Sequence, residues 1–101
     1  MRELQPCVYM MASVFYGTLY VGVTSNLPAR VMQHRDGTLS GFTKQYAVKR
    51  LVWYELADTM ESAIAHEKRL KRWRRDWKIE LIERANPHWD DLAPILGLPV
   101  R

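Results

Sequence analysis

The chain has 101 residues, one cysteine, a formal charge of +4 and a pI near 9.5. That length suits one domain with a modest core, and an apolar content of 48% argues against disorder. A lone Cys7 excludes an internal disulfide and a multi-cysteine zinc site, and with no signal peptide visible it implies a reducing, cytoplasmic setting.

The uncharged stretch from Leu4 to Ala29 contains serines, threonines, three tyrosines, Gly17 and Pro28, which suits two strands better than a membrane helix. Val8 to Ser13 and Thr18 to Thr24 read as those strands, joined through Tyr16-Gly17 as a hairpin. Ser25-Asn26-Leu27-Pro28 starts a helix, with Ser25 or Asn26 as cap, that ends before Gly37. Residues 36–49 read as a loop and Leu51 to Leu56 as a third strand. Asp58 and Glu61 have capping-box spacing before a second helix to about Trp73. A third helix spans about Asp76 to Ala85, with Trp77, Leu81 and Ala85 as its packed face, and a short helix from Trp89 to Leu96 follows. The order ββαβαα predicts a mixed α+β or α/β domain over residues 1–101, a small sheet covered by helices.

Three placements carry chemical interest. Strand alternation puts Val8, Met10 and Ala12 on one face with Leu19, Val21 and Val23, leaving Tyr9, Tyr20, Gly22 and Thr24 on the other. On geometry alone that second face is a half-exposed sheet decorated by tyrosines. On the first helix, Leu27, Arg30, Val31 and His34 share one face, so Arg30 and His34 sit beside the inward stripe or snorkel to water. On the second helix Glu67 interrupts the apolar stripe of Met60, Ala63, Ile64 and Leu70. A carboxylate facing a core needs an ion-pair partner or a hard divalent cation. Both readings satisfy it.

Seven of the 15 lysines and arginines lie between Lys68 and Lys78, which favours an anionic partner such as nucleic acid. Lys68, Lys71, Arg72 and Arg75 are candidate phosphate contacts, and Lys44, in the aromatic and basic stretch Gly41 to Tyr46, is another. Trp77 reads as core at the head of its stripe, while Trp73 is open between core and base stacking. His66 and His88 read as surface residues.

Cys7-Val8-Tyr9 followed by Tyr20-Val21-Gly22, then a helix with Arg30 and His34, then Glu67 within Ala65-His66-Glu67-Lys68, resembles the GIY-YIG nucleases over roughly residues 7–90. In detail the chain resembles the small stand-alone bacterial members. The resemblance implies a three-stranded antiparallel sheet flanked by helices and a metal-dependent endonuclease that hydrolyses DNA with weak sequence or structure selectivity, RNA not being excluded. It implies that one Mg²⁺ or Mn²⁺ ion is held by Glu67 and that Tyr9 helps activate water. Tyr20 and His34 then position water or phosphate, and Arg30 stabilises developing charge. The other readings are a non-catalytic nucleic-acid-binding module and a subunit whose specificity comes from a protein partner. Three departures stand out: Cys-Val-Tyr replaces Gly-Ile-Tyr, Val23 stands where some relatives have Lys, and Ile79 stands where many have Asn. Asn86 is the only downstream Asn, and it also suits a helix stop before Pro87.

Overall fold

A computed structural model describes residues 4–37 and 47–98. Lys44 and the Gly41 to Tyr46 stretch lie outside the described residues. The elements run β1 (Cys7–Ala12), β2 (Leu19–Thr24), α1 (Leu27–Asp36), β3 (Arg50–Leu56), α2 (Met60–Arg72), α3 (Arg75–Ala85) and a 3-10 turn (Ala93–Leu96). The three strands form one antiparallel sheet in the order β2-β1-β3, so the expected sheet with flanking helices is present.

The central position of β1 changes the hairpin's environment. All six of its residues are buried, because helices cover both faces. Val8, Met10 and Ala12 pack with Ala63 of α2 and Ile82 of α3. Cys7, Tyr9 and Met11 pack with Leu27 and Val31 of α1 and with Ala93. The tyrosine face is therefore a second core layer rather than a half-exposed surface. A strand reading Cys-Val-Tyr-Met-Met-Ala, apolar without a break, matches a strand buried on both sides.

Local signals place α1 well. Asn26 caps it by accepting from the Ala29 amide at 3.2 Å, and Gly37 ends it at φ 71°, where a side chain would be strained. The start of α2 is a correction: Thr59, not Asp58, is the cap. Thr59 Oγ1 accepts from the Ser62 amide at 3.0 Å, and Ser62 Oγ accepts from the Thr59 amide at 3.3 Å. Of the expected stripe, Ala63 and Leu70 are buried against the sheet, while Met60 and Ile64 are exposed.

The packed face of α3 is also corrected. Ile82 is buried and Ile79 packs against the same core, while Trp77 is 47% exposed and Ala85 is exposed. Leu81 of the expected face does pack on the core, but α3 docks mainly through Ile79 and Ile82, which leaves Trp77 and Ala85 outside. The closing helix is shorter than expected. Trp89 has a positive φ of 56°, which breaks helical continuity, and only Ala93 to Leu96 make a 3-10 turn.

Two polar links hold the C-terminal segment onto the sheet. Arg35 pairs with Asp91 at 2.9 Å, and Asp91 Oδ1 accepts from the Leu51 and Ala93 amides. Trp89, fully buried, donates to Glu83 at 2.9 Å, and the Phe15 and Tyr16 rings of the β1–β2 turn pack on it. Among the described residues no helix is long and apolar enough to cross a membrane.

Candidate active site

The site begins with a glycine. Tyr9 on β1 stands opposite Gly22 on β2. A Cβ at Gly22 would lie 2.5 Å from the Tyr9 ring carbon and hydroxyl, and 2.8 Å from the Tyr20 ring. The missing side chain lets the phenol of Tyr9 cross the neighbouring strand and reach α1. Its hydroxyl lies 3.0 Å from His34 Nε2. The Tyr9, Tyr20 and His34 rings form one cluster, with centroids 6.2, 5.6 and 5.3 Å apart.

His34 is 3% exposed, at the inward end of the α1 stripe. Burial, with the Arg30 guanidinium beside it, lowers its pKa to about 4, so the imidazole is neutral near pH 7. Burial pushes the Tyr9 phenol well above its ordinary value, and the nearby Tyr20 adds to this. The Arg30 cation pulls the other way without reversing it. A resting phenolate is therefore disfavoured. With both groups neutral, Tyr9 O–H donates to Nε2 or Nε2–H donates to the phenol oxygen. His34 Nδ1 is buried without a hydrogen-bond partner among the described residues.

The sequence-derived residues divide into groups. Tyr9, Tyr20, Gly22, Arg30 and His34 converge on one face of the sheet. Glu67 lies on α2, with a side chain 14% exposed and Lys71 Nζ at 3.0 Å. Asn86 caps α3 and is buried. Its amide donates to the Val52 and Asp90 carbonyls at 3.0 and 2.9 Å, and its oxygen accepts from the Asp90 amide at 3.0 Å. Val52 is the extra residue of a bulge between β1 and β3, so Asn86 joins the helix end to an irregular strand.

The basic residues divide too. Lys68, Lys71 and Arg72 are exposed on α2. The Arg75 guanidinium instead donates to the Tyr16 and Gly17 carbonyls at 2.7 and 2.9 Å, linking α3 to the β1–β2 turn. His88 is exposed, whereas His66 is half-buried, pairs with Glu55 at 3.4 Å and meets Trp53 edge-on.

The comparisons bear on this arrangement directly. The model of the GIY-YIG catalytic domain matches residues 5–80. The chain belongs to the GIY-YIG family. It is similar to a UPF0213 protein of Staphylococcus saprophyticus, 32% identical over 66 residues that cover 65% of this chain and 80% of the relative. A UPF0213 protein of Staphylococcus aureus is 33% identical over 67 residues, covering 66% and 82%. No solved structure matches. The matched range contains both strands of the tyrosine hairpin, α1 and all of α2, hence every residue of the GIY-YIG cluster and Glu67. Membership places the chain in a family of nucleases with small bacterial relatives.

GIY-YIG nucleases are generally metal-dependent, and the donor set bears on which residues would hold an ion. Among the described residues no three His, Cys, Asp or Glu side chains gather. Glu67 is a half-buried carboxylate whose partner, Lys71, is 51% exposed and able to swing into water. One such carboxylate suits Mg²⁺ or Mn²⁺, which takes its remaining ligands from water and phosphate oxygens.

Proposed function

We propose that the protein is a metal-dependent endonuclease that hydrolyses phosphodiester bonds of DNA with weak sequence or structure selectivity, as one cytoplasmic domain over residues 1–101. The observation that carries this reading is the 3.0 Å contact of the Tyr9 hydroxyl with His34 Nε2 beside the Arg30 cation. The contact supports an enzyme over a module that only binds DNA, because it joins a proton donor to an acceptor beside a cation.

The chain's own groups account for the acid–base part. With Tyr9 donating to Nε2 and taking a hydrogen bond from Arg30, its oxygen keeps a lone pair to accept a proton from an attacking water as its own proton passes to His34, a step that requires substrate binding to open water access to this fully buried residue. A bound phosphate adds negative charge near the imidazole and raises its proton affinity. Arg30 faces the charge that grows on the phosphate, where a preorganised guanidinium stabilises the transition state more than the ground state. The Tyr20 ring packs against both partners and holds their geometry. Glu67 would hold the Mg²⁺ or Mn²⁺ ion, which supplies Lewis-acid stabilisation of the phosphate and the leaving oxygen. A protein partner would supply any stronger specificity.

The test is incubation of the purified protein with single-stranded, duplex and branched DNA and with RNA, with and without Mg²⁺ or Mn²⁺. Cleavage is expected only with metal, and Glu67→Gln should abolish it while DNA binding survives. Undiminished cleavage by Glu67→Gln removes the metal assignment. Binding with no cleavage under any metal returns the chain to a non-catalytic module.

A further inference from the structure

The corner between α2 and α3 presents a slot that the catalytic cluster does not use. Trp73, Trp77, Glu80, Leu81 and Arg84 line a cavity of about 240 Å³. This is below the roughly 300–1,000 Å³ of pockets for drug-sized ligands, and it suits one flat ring system. The two indoles stand edge to face, 5.9 Å apart at 85°, so they make two walls at right angles. Trp77 is 47% exposed, an unusual position for the largest apolar side chain on a helix that has a core-facing side available. The Arg74 guanidinium lies 4.7 Å from the Trp77 ring centroid. Glu80 and Arg84, paired with each other at 3.2 Å, are exposed like Trp77 and offer both an acceptor and donors.

The surroundings decide what sort of molecule fits. Residues 68–84 carry eight lysines and arginines against three acids. Burial holds the Lys78 amine below its ordinary range, and the neighbouring Arg75 and Lys71 cations add to this, so the corner already crowds positive charge. An anionic strand relieves that crowding. An aromatic slot beside it adds a wall for a flat base. The ligand that brings both features is a nucleic-acid strand with at least one unpaired base.

We infer that the Trp73–Trp77 slot on the α2–α3 corner is a subsite for one unpaired nucleobase, which stacks on Trp77 while flanking phosphates meet the cations of the corner. The inference rests on the nuclease reading only for the class of ligand. It adds that substrates with single-stranded character are preferred in binding. Paired bases keep their faces covered by neighbours and gain nothing from the slot.

The experiment measures binding of the full-length protein in EDTA, so that no cleavage intervenes. The probes are a labelled oligo-dT, an abasic strand of equal length and charge, a duplex, and an acidic glutamate peptide. Trp77→Ala should weaken oligo-dT binding between about 5- and 150-fold, the range for losing one base–aromatic stack. It should leave the duplex and abasic strand within about twofold, and Trp77→Phe should recover most of the loss. Equal losses on oligo-dT and the abasic strand would overturn the inference, because the effect would then not be stacking. So would an unchanged oligo-dT affinity, or a glutamate peptide that binds as well as oligo-dT and loses as much with Trp77→Ala. A protein that binds oligo-dT through Trp77 yet cleaves nothing keeps this subsite and loses the nuclease reading. One that cleaves DNA with Trp77 irrelevant to binding does the reverse.

Discussion

The α1 face of the sheet and the α2–α3 corner are built on opposite plans. The first gathers few polar groups, nearly all withdrawn from water, and orders them through packing: Tyr9 over Gly22, His34 on the inner side of α1, half-buried Arg30 one turn before it. The second gathers many charges around an exposed Trp77 and a partly buried Trp73, and there the Arg75 guanidinium is bound to main-chain carbonyls. Burial shifts proton affinities and fixes angles, which chemistry requires. Exposure leaves cations hydrated and free to follow a backbone, which affinity requires. If the division is correct, each region can be damaged while the other's property stays intact.

The sharpest break is expected on the buried side. Tyr9→Phe and Arg30→Ala should each lower single-turnover cleavage by roughly 10²-fold or more, the scale for a lost general base or charge stabiliser, with DNA affinity little changed. A Tyr9→Phe protein that cleaves at full rate would make its hydroxyl structural and separate the Tyr9–His34 contact from catalysis.

The next effect is on folding and depends on pH. His34 has a pKa of about 4 in the folded chain against an ordinary 6.5, so the unfolded chain binds more protons between these values. The stability that neutral His34 contributes is full above about pH 6.5 and is lost as pH falls toward 4. The loss is on the order of 3 kcal/mol at the acid end. Urea unfolding of the parent beside His34→Gln should show the parent's stability falling more steeply over that window. Parallel profiles would mean that the imidazole titrates as an exposed one does.

Gly22→Ala probes how the cluster is packed. The added methyl would meet the Tyr9 and Tyr20 rings, and the loss of stability should be about 1–3 kcal/mol, the range for overpacking a core. Activity should fall further than stability accounts for, since the Tyr9 hydroxyl would leave His34. Chemical denaturation paired with cleavage by the folded fraction measures both. A variant as stable and active as the parent would show that the sheet relaxes around the methyl.

The smallest effect separates two arginines. Arg72→Ala should flatten the log–log salt dependence of duplex binding by about 0.9, one phosphate contact, which over a fourfold rise in salt is only about 3.5-fold in affinity. Arg75→Ala should change the slope less and cost stability instead, because its guanidinium ties α3 to the β1–β2 turn. The reverse pattern in a salt titration would place Arg75 on the phosphate path.

Local patterning was enough for the element order and the Gly37 stop, and it narrowed the α1 cap to Ser25 or Asn26 and set His34 beside the inward stripe, since each depends on residues within two helical turns. It also paired Tyr9 with Gly22 and Tyr20 on one face, because strand alternation is a local property. What no local pattern contains is which surface each face meets. The placement of β1 between β2 and β3 turned the tyrosine face into a closed layer, and only that closure shifts the proton affinities of Tyr9 and His34. The choice between two plausible faces of α3 left Trp77 outside, and the bulge at Val52 gave Asn86 its carbonyl partner. Pairing and docking join residues tens of positions apart, and their free energy comes from apolar area buried between elements, a quantity the single element's sequence does not carry.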